Sequence, residues 1–177
     1  MKGTRTFNEY QEWCEHDYRH FRARGLRRQD FTAITSTIHP TKNLDKALQI
    51  LRSEGFILAI ISGGIDTFLY EKIPNANQLF DYICINRLKY DDQSIISGIE
   101  PTPFDFEGKA VALEAICKQH NATLEEAVFV GEGYNDAAAA TKAGLSIAYP
   151  PHGQVIPAAS RVEVAEDDLL RILDHVR

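Results

Sequence analysis

The run Ala127-Val128-Phe129-Val130-Gly131-Glu132-Gly133-Tyr134-Asn135-Asp136 carries a short apolar strand straight into two glycines, an asparagine and two acids. A strand that ends this way sets its acids at the carboxyl edge of a sheet, where open α/β folds hold their ligands. Just upstream, Lys109 opens a helical run that lasts to about His120. Further back, Phe56-Ile57-Leu58-Ala59-Ile60-Ile61 ends in Ser62-Gly63-Gly64. A second strand is therefore expected to deliver a hydroxyl and flexible backbone amides to the same edge.

Working outward, the spacing predicts an alternation of helix and strand. Thr6-Phe7-Asn8-Glu9 reads as a capping box, and Phe7, Tyr10, Cys14, Tyr18 and Phe21 recur at helical spacing up to Gly25. Asp30 can cap a second helix to about Thr37, and His39-Pro40 ends it. Asn43 can cap a third, with Leu44, Ala47, Leu48 and Leu51 on one face and Gly55 just past its end. A helical stretch is expected from Ser62-Gly63-Gly64 to about Lys72, then a strand at Tyr82-Ile83-Cys84-Ile85 and a hairpin near residues 86–100. Beyond Asp136, an alanine helix stopped by Gly144, a strand from Leu145 to Tyr149 and a last strand and helix complete the chain. Such alternation implies an α/β fold with a doubly wound, mostly parallel sheet. The expected division is a small helical subdomain over residues 1–40 and an α/β core over 41–177.

Composition narrows the partners. The chain has 177 residues, 44% of them hydrophobic, which suits one compact core that buries roughly 70% of the unfolded surface. A net charge of −6 argues against a nucleic-acid binder and against a membrane-surface protein. No apolar run approaches the roughly 20 residues of a membrane span, and the polar start lacks the apolar core of a signal peptide. Cys14, Cys84 and Cys117 are odd in number and widely spaced, so reduced thiols are expected. A cytoplasmic location fits this reading.

Four features converge on one ligand type. Glu132 and Asp136 flank one turn, and hard carboxylate oxygens so placed suit Mg²⁺. Asn135 beside them can orient a ligand oxygen. Ser62 and the amides of Gly63 and Gly64, at an expected helix N-terminus, favour an anion, phosphate above all. Lys109 adds a point charge that can neutralise it.

These motifs resemble the haloacid dehalogenase-like hydrolases, in particular the phosphoserine-phosphatase-like branch with a small helical cap. Ile60-Ile61-Ser62-Gly63-Gly64 is similar to the motif whose Ser binds the transferring phosphoryl group, and Gly108-Lys109 to the one whose Lys stabilises its charge. Val130-Gly131-Glu132-Gly133-Tyr134-Asn135-Asp136 is similar to the motif whose acids hold Mg²⁺ directly or through water, its Asn touching phosphate. The resemblance implies a Rossmann-like core, a cap at residues 1–40, a small phosphorylated metabolite as substrate, and transfer through an aspartyl-phosphate.

Two departures accompany it. The family's nucleophile is the first Asp of an Asp-x-Asp motif on a strand ahead of the cap, and no such strand precedes Thr6. The first core strand is thus expected to be missing, and Asp105-Phe106-Glu107 imitates the motif only from the loop before Lys109. Glu132 stands where the family's metal ligand is normally Asp, a shift of about 1 Å that can cost on the order of a hundredfold in rate. The expected function is Mg²⁺-dependent hydrolysis of a small phosphomonoester, impaired or absent in this chain. The alternative is a non-catalytic phosphate-binding or regulatory protein of the same fold. Sheet edges left by a missing central strand invite a homodimer. His16 and His20, four apart, can chelate a metal, but Arg19 and Arg22 stand beside them without an evident third ligand, so a solvated face is expected.

Overall fold

A computed structural model describes residues 7–149 and 160–176. Thr6, proposed above as part of a capping box, lies outside them. The described chain is α/β, as the alternation predicts, and divides into two compact units: residues 1–40 with 57–103, and residues 41–56 with 104–177.

The first unit contains α1 (Phe7–Ala23), α2 (Arg28–Thr35), β1 (Ala59–Ile65), β2 (Tyr82–Tyr90) and β3 (Ile96–Glu100), with two short helices, Asp66–Lys72 and Ala76–Leu79, between β1 and β2. Its sheet has the order β1-β2-β3. The long strand β2 runs parallel to β1 in its first half, pairing Ala59 with Tyr82 and Ile61 with Cys84. Its second half pairs antiparallel with β3, Leu88 opposite Ile99. Phe31, Leu88 and Ile96 form a buried cluster, and Tyr18, Phe21 and Leu26 of the helical segment pack on it. The predicted aromatic face of α1 therefore has a physical destination, with Tyr10 and Cys14 each 4% exposed.

Two local expectations need correction here. Ser62-Gly63-Gly64 does not start a helix: it lies inside β1, where the register shifts between Ile61 and Ile65, and the helix begins only at Asp66. Glycines are what a strand irregularity tolerates, and the Gly64 amide donates to Ser62 Oγ at 3.0 Å. Asp30 does not precede α2 but sits in its first turn, its carboxylate accepting from the Arg27 amide at 2.7 Å. The tertiary partner of β1, not local propensity, decides where the chain leaves the extended form.

One buried asparagine ties this unit together. Asn86, 2% exposed, donates through Nδ2 to the Gly63 carbonyl (2.9 Å) and to Tyr10 Oη (2.6 Å). Its Oδ1 accepts from the Thr102 amide (2.7 Å) and hydroxyl (3.3 Å).

The second unit holds α3 (Leu44–Ser53), then α4 (Glu107–Gln119), β4 (Val128–Gly131), α5 (Ala137–Lys142), β5 (Leu145–Ala148) and β6 (Val162–Glu163). Its sheet is parallel throughout, ordered β4-β5-β6. As expected, Ala47, Leu48 and Leu51 of α3 are buried. Asn43 stands at the helix start with φ 60° but does not cap it, because its Nδ2 donates to both Asp168 oxygens at 2.9 Å. Those bonds, with the Leu170 amide and Lys42, hold the Asp168 carboxyl below the usual carboxylate range. The alanines of α5 let it lie close to α4, and Ala139 and Ala140 are buried. The turn from α5 into β5 is equally tight: a Cβ on Gly144 would stand 1.9 Å from the Glu125 carbonyl oxygen.

Two substitutions test these contacts. Gly144→Ala should cost about 3 kcal/mol because the clash is with backbone, and thermal unfolding should show Tm lower by roughly 6–12 °C. Asn86→Ala leaves buried groups without partners and should cost about 2–3 kcal/mol, read from denaturant midpoints with an unchanged slope.

Candidate phosphate-binding site

Lys109 is the third residue of α4 and only 7% exposed. Both facts oppose a cation: the start of a helix carries the positive end of its dipole, and an isolated buried charge costs several kcal/mol. Asp136 offsets them. Its Oδ1 accepts from Lys109 Nζ at 2.5 Å, and Asp136 itself is 4% exposed.

The other oxygen of Asp136 is engaged as well. A single 3₁₀ turn, Tyr134–Asp136, follows β4 and folds the carboxylate back beneath the strand end. There Oδ2 accepts from the amides of Glu132 and Gly133, both at 2.9 Å. Gly131 makes room for this return, since a Cβ there would stand 2.9 Å from Asp136 Cβ and Cγ. Lys109, Glu132, Gly133 and Asp136 thus form one hydrogen-bonded group at the carboxyl end of β4. Among the described residues, Lys109 uses one of its three ammonium protons, on Asp136.

Asn135 faces a partner that sequence reasoning set aside. Its Nδ2 donates to Asp105 Oδ1 at 2.7 Å, and the same oxygen accepts from the Phe106 amide at 3.0 Å. Phe106 has φ 49°, a left-handed conformation rare for an aromatic residue, and initiates α4. The Asp105 link joins loops 30 residues apart, and no short-range pattern could signal it.

Ser62 and Gly63 lie in the first unit, apart from this group in the division of the chain. There the Ser62 oxygen accepts from Gly64, and Asn86 holds the Gly63 carbonyl.

The fit to a divalent cation rests on the donor set. Asp136 accepts three N–H bonds, one on Oδ1 and two on Oδ2, which leaves Oδ1 one lone pair, whereas Glu132 is exposed and carries a hard carboxylate. Among the described residues no three His, Cys, Asp or Glu side chains converge on one point.

Comparison with known proteins places the fold. A family model for haloacid dehalogenase-like hydrolases matches residues 1–144. A phosphoserine phosphatase of Methanocaldococcus jannaschii is 31% identical over 140 residues, which cover 79% of this chain and 65% of that protein. The match thus spans just under two thirds of that relative's length. Among solved structures, a phosphoserine phosphatase in its apo form superposes with TM-score 0.78 at 24% identity, covering 96% of this chain and 84% of that one. A substrate-bound phosphoserine phosphatase complex gives 0.76 at 27% identity over 86% and 71%. With its family motifs seated on this α/β frame, the chain belongs to the haloacid dehalogenase-like hydrolases.

Proposed function

We propose that the chain handles the phosphoryl group of a small phosphomonoester in a phosphatase reaction of the phosphoserine-phosphatase type. The observation that carries this reading is Lys109, buried against Asp136 at a helix start where a cation contributes least to stability. A cation so placed is arranged to meet an anion. The Lys109 ammonium donates to a phosphate oxygen while Asp136 fixes its position. The Asn135 amide exchanges Asp105 for a phosphate oxygen. Ser62, whose oxygen already accepts from Gly64, has its hydroxyl proton left to donate to an anion, with Gly63 beside it.

Family membership and the exposed Glu132 support Mg²⁺ as cofactor, with Glu132 as a direct ligand and Asp136 acting through water. When bound, such an ion spreads the negative charge of the transferring group. The nucleophile is not assigned to any residue of this chain. A non-catalytic, phosphate-binding role draws support from Asp136, which accepts three N–H bonds, and from the engaged Asp105, since neither carboxylate is poised to attack.

Inorganic phosphate release from phosphoserine and other small phosphomonoesters, with and without Mg²⁺, separates the two readings. Metal-dependent turnover that falls on the order of a hundredfold or more in Asp136→Asn supports the phosphatase. Saturable phosphate binding without turnover, lost in Lys109→Met, supports the binding role, and neither activity sinks both. Lys109→Met should also lower stability by about 3 kcal/mol, because Asp136 keeps a buried charge without its partner.

A further inference from the structure

On the outer surface of α1, His16 and His20 stand one turn apart with both rings exposed. Their Nε2 atoms lie 3.1 Å from each other, and the rings meet edge to face with centroids 4.4 Å apart. Exposure matches the sequence expectation, and the two nitrogens already converge as a ring-to-ring hydrogen bond, whose bridging proton a cation could replace. A first-row cation about 2.05 Å from both nitrogens would see them at an angle of about 100°, between the octahedral and tetrahedral values. Histidines at i and i+4 on a helix are a recognised chelating pair.

The neighbours favour the ligating tautomer. His16 Nδ1 lies 3.4 Å from Asp17 Oδ1, a carboxylate that draws the ring proton to Nδ1 and makes His16 Nε2 the acceptor of the bond from His20 Nε2, the lone pair a cation would take in place of that proton. The arginines that argued against a cation are held elsewhere on the helix: Arg19 Nε donates to the Glu15 carbonyl, and Arg22 to the Tyr18 hydroxyl. Glu12 and Glu9 line the same surface hollow as His16 and Trp13, which lowers the local potential for a cation.

We infer that His16 and His20 form a two-imidazole site for a divalent transition cation such as Cu²⁺, Ni²⁺ or Zn²⁺, with water completing the coordination. The site is distinct from any Mg²⁺ site, because imidazole pairs suit borderline metals and Mg²⁺ takes oxygen. Binding needs no redox step. His20 Nε2 gives up whatever proton it holds to its own Nδ1 or to solvent as the metal takes its lone pair.

Trp13 is the only tryptophan and lies one turn before His16, 45% exposed, so it reports on the site directly. Full-length chain stripped with EDTA is titrated with Cu²⁺, Ni²⁺, Zn²⁺ and Mg²⁺, following Trp13 fluorescence and, by calorimetry, stoichiometry. The expected result is one Cu²⁺ per chain that alters Trp13 fluorescence, bound more tightly than Ni²⁺ or Zn²⁺, while Mg²⁺ leaves the Trp13 signal unchanged. His16→Gln and His20→Gln should each weaken Cu²⁺ binding by about tenfold or more, and Asp17→Asn by less. Both histidines are exposed, and far-UV circular dichroism verifies that the variants fold. Absence of saturable Cu²⁺ binding, Cu²⁺ affinity in both Gln variants unchanged from the unmodified chain, or the same Trp13 response to Mg²⁺ would overturn the assignment.

Discussion

The second unit depends on a cation buried in an unfavourable place. Lys109 at the start of α4 is opposed by desolvation of several kcal/mol and by the helix dipole at up to about 1 kcal/mol. Neither the helix nor the sheet needs that charge pair, since replacing both Lys109 and Asp136 by apolar residues of similar volume would cost the packing little, whereas removing Lys109 alone strands the Asp136 charge. The unit keeps it by giving Asp136 no alternative: two amides fix one oxygen and Lys109 takes the other. Such a pair is better understood as a device for holding an ammonium in one position than as a source of stability.

That device dictates the small residues around it. The carboxylate can return beneath β4 only because Gly131 has no side chain, and the 3₁₀ turn that brings it back runs directly into the alanines of α5. α5 in turn can approach α4, the helix bearing Lys109, because Ala139 and Ala140 present so little volume. Across those two helices, Lys142 is paired with Glu114 in a solvated ion bridge that contributes little. The close packing of alanines therefore sets the distance between the two halves of the ion pair, and the Gly144 turn sets where β5 begins.

How much of this was readable in advance follows from the range of the interactions. The strand Val128–Gly131 and the burial of Ala47, Leu48 and Leu51 come from short apolar runs and helical spacing, and these were legible. Asn43 and Asp30 were chosen as caps for their residue types, yet Asn43 turns to Asp168, 125 residues away, and Asp30 serves from inside its helix. Ser62-Gly63-Gly64 was placed at a helix start because glycines usually mark strand ends, but pairing with β2 extends the strand to Ile65. At the site, the residue types of Lys109, Glu132, Asn135 and Asp136 signalled an anion-handling turn. What residue types could not give was the assignment of oxygens: which donors each carboxylate accepts, and which amide has a partner.

That assignment matters for any ligand that reaches the turn. Asn135 donates to Asp105, so an incoming phosphate oxygen that takes this amide exchanges one charged acceptor for another, and the exchange itself is nearly neutral. Asp105 is then left with the Phe106 amide as its described donor, next to a backbone held at φ 49°. Its carboxylate would also face a newly arrived anion, and like charges at close range raise the cost of binding. The gain must therefore come from Lys109, whose charge is already desolvated and fixed. Affinity at this turn is set by the balance between a cation prepared in advance and a carboxylate that has to be released.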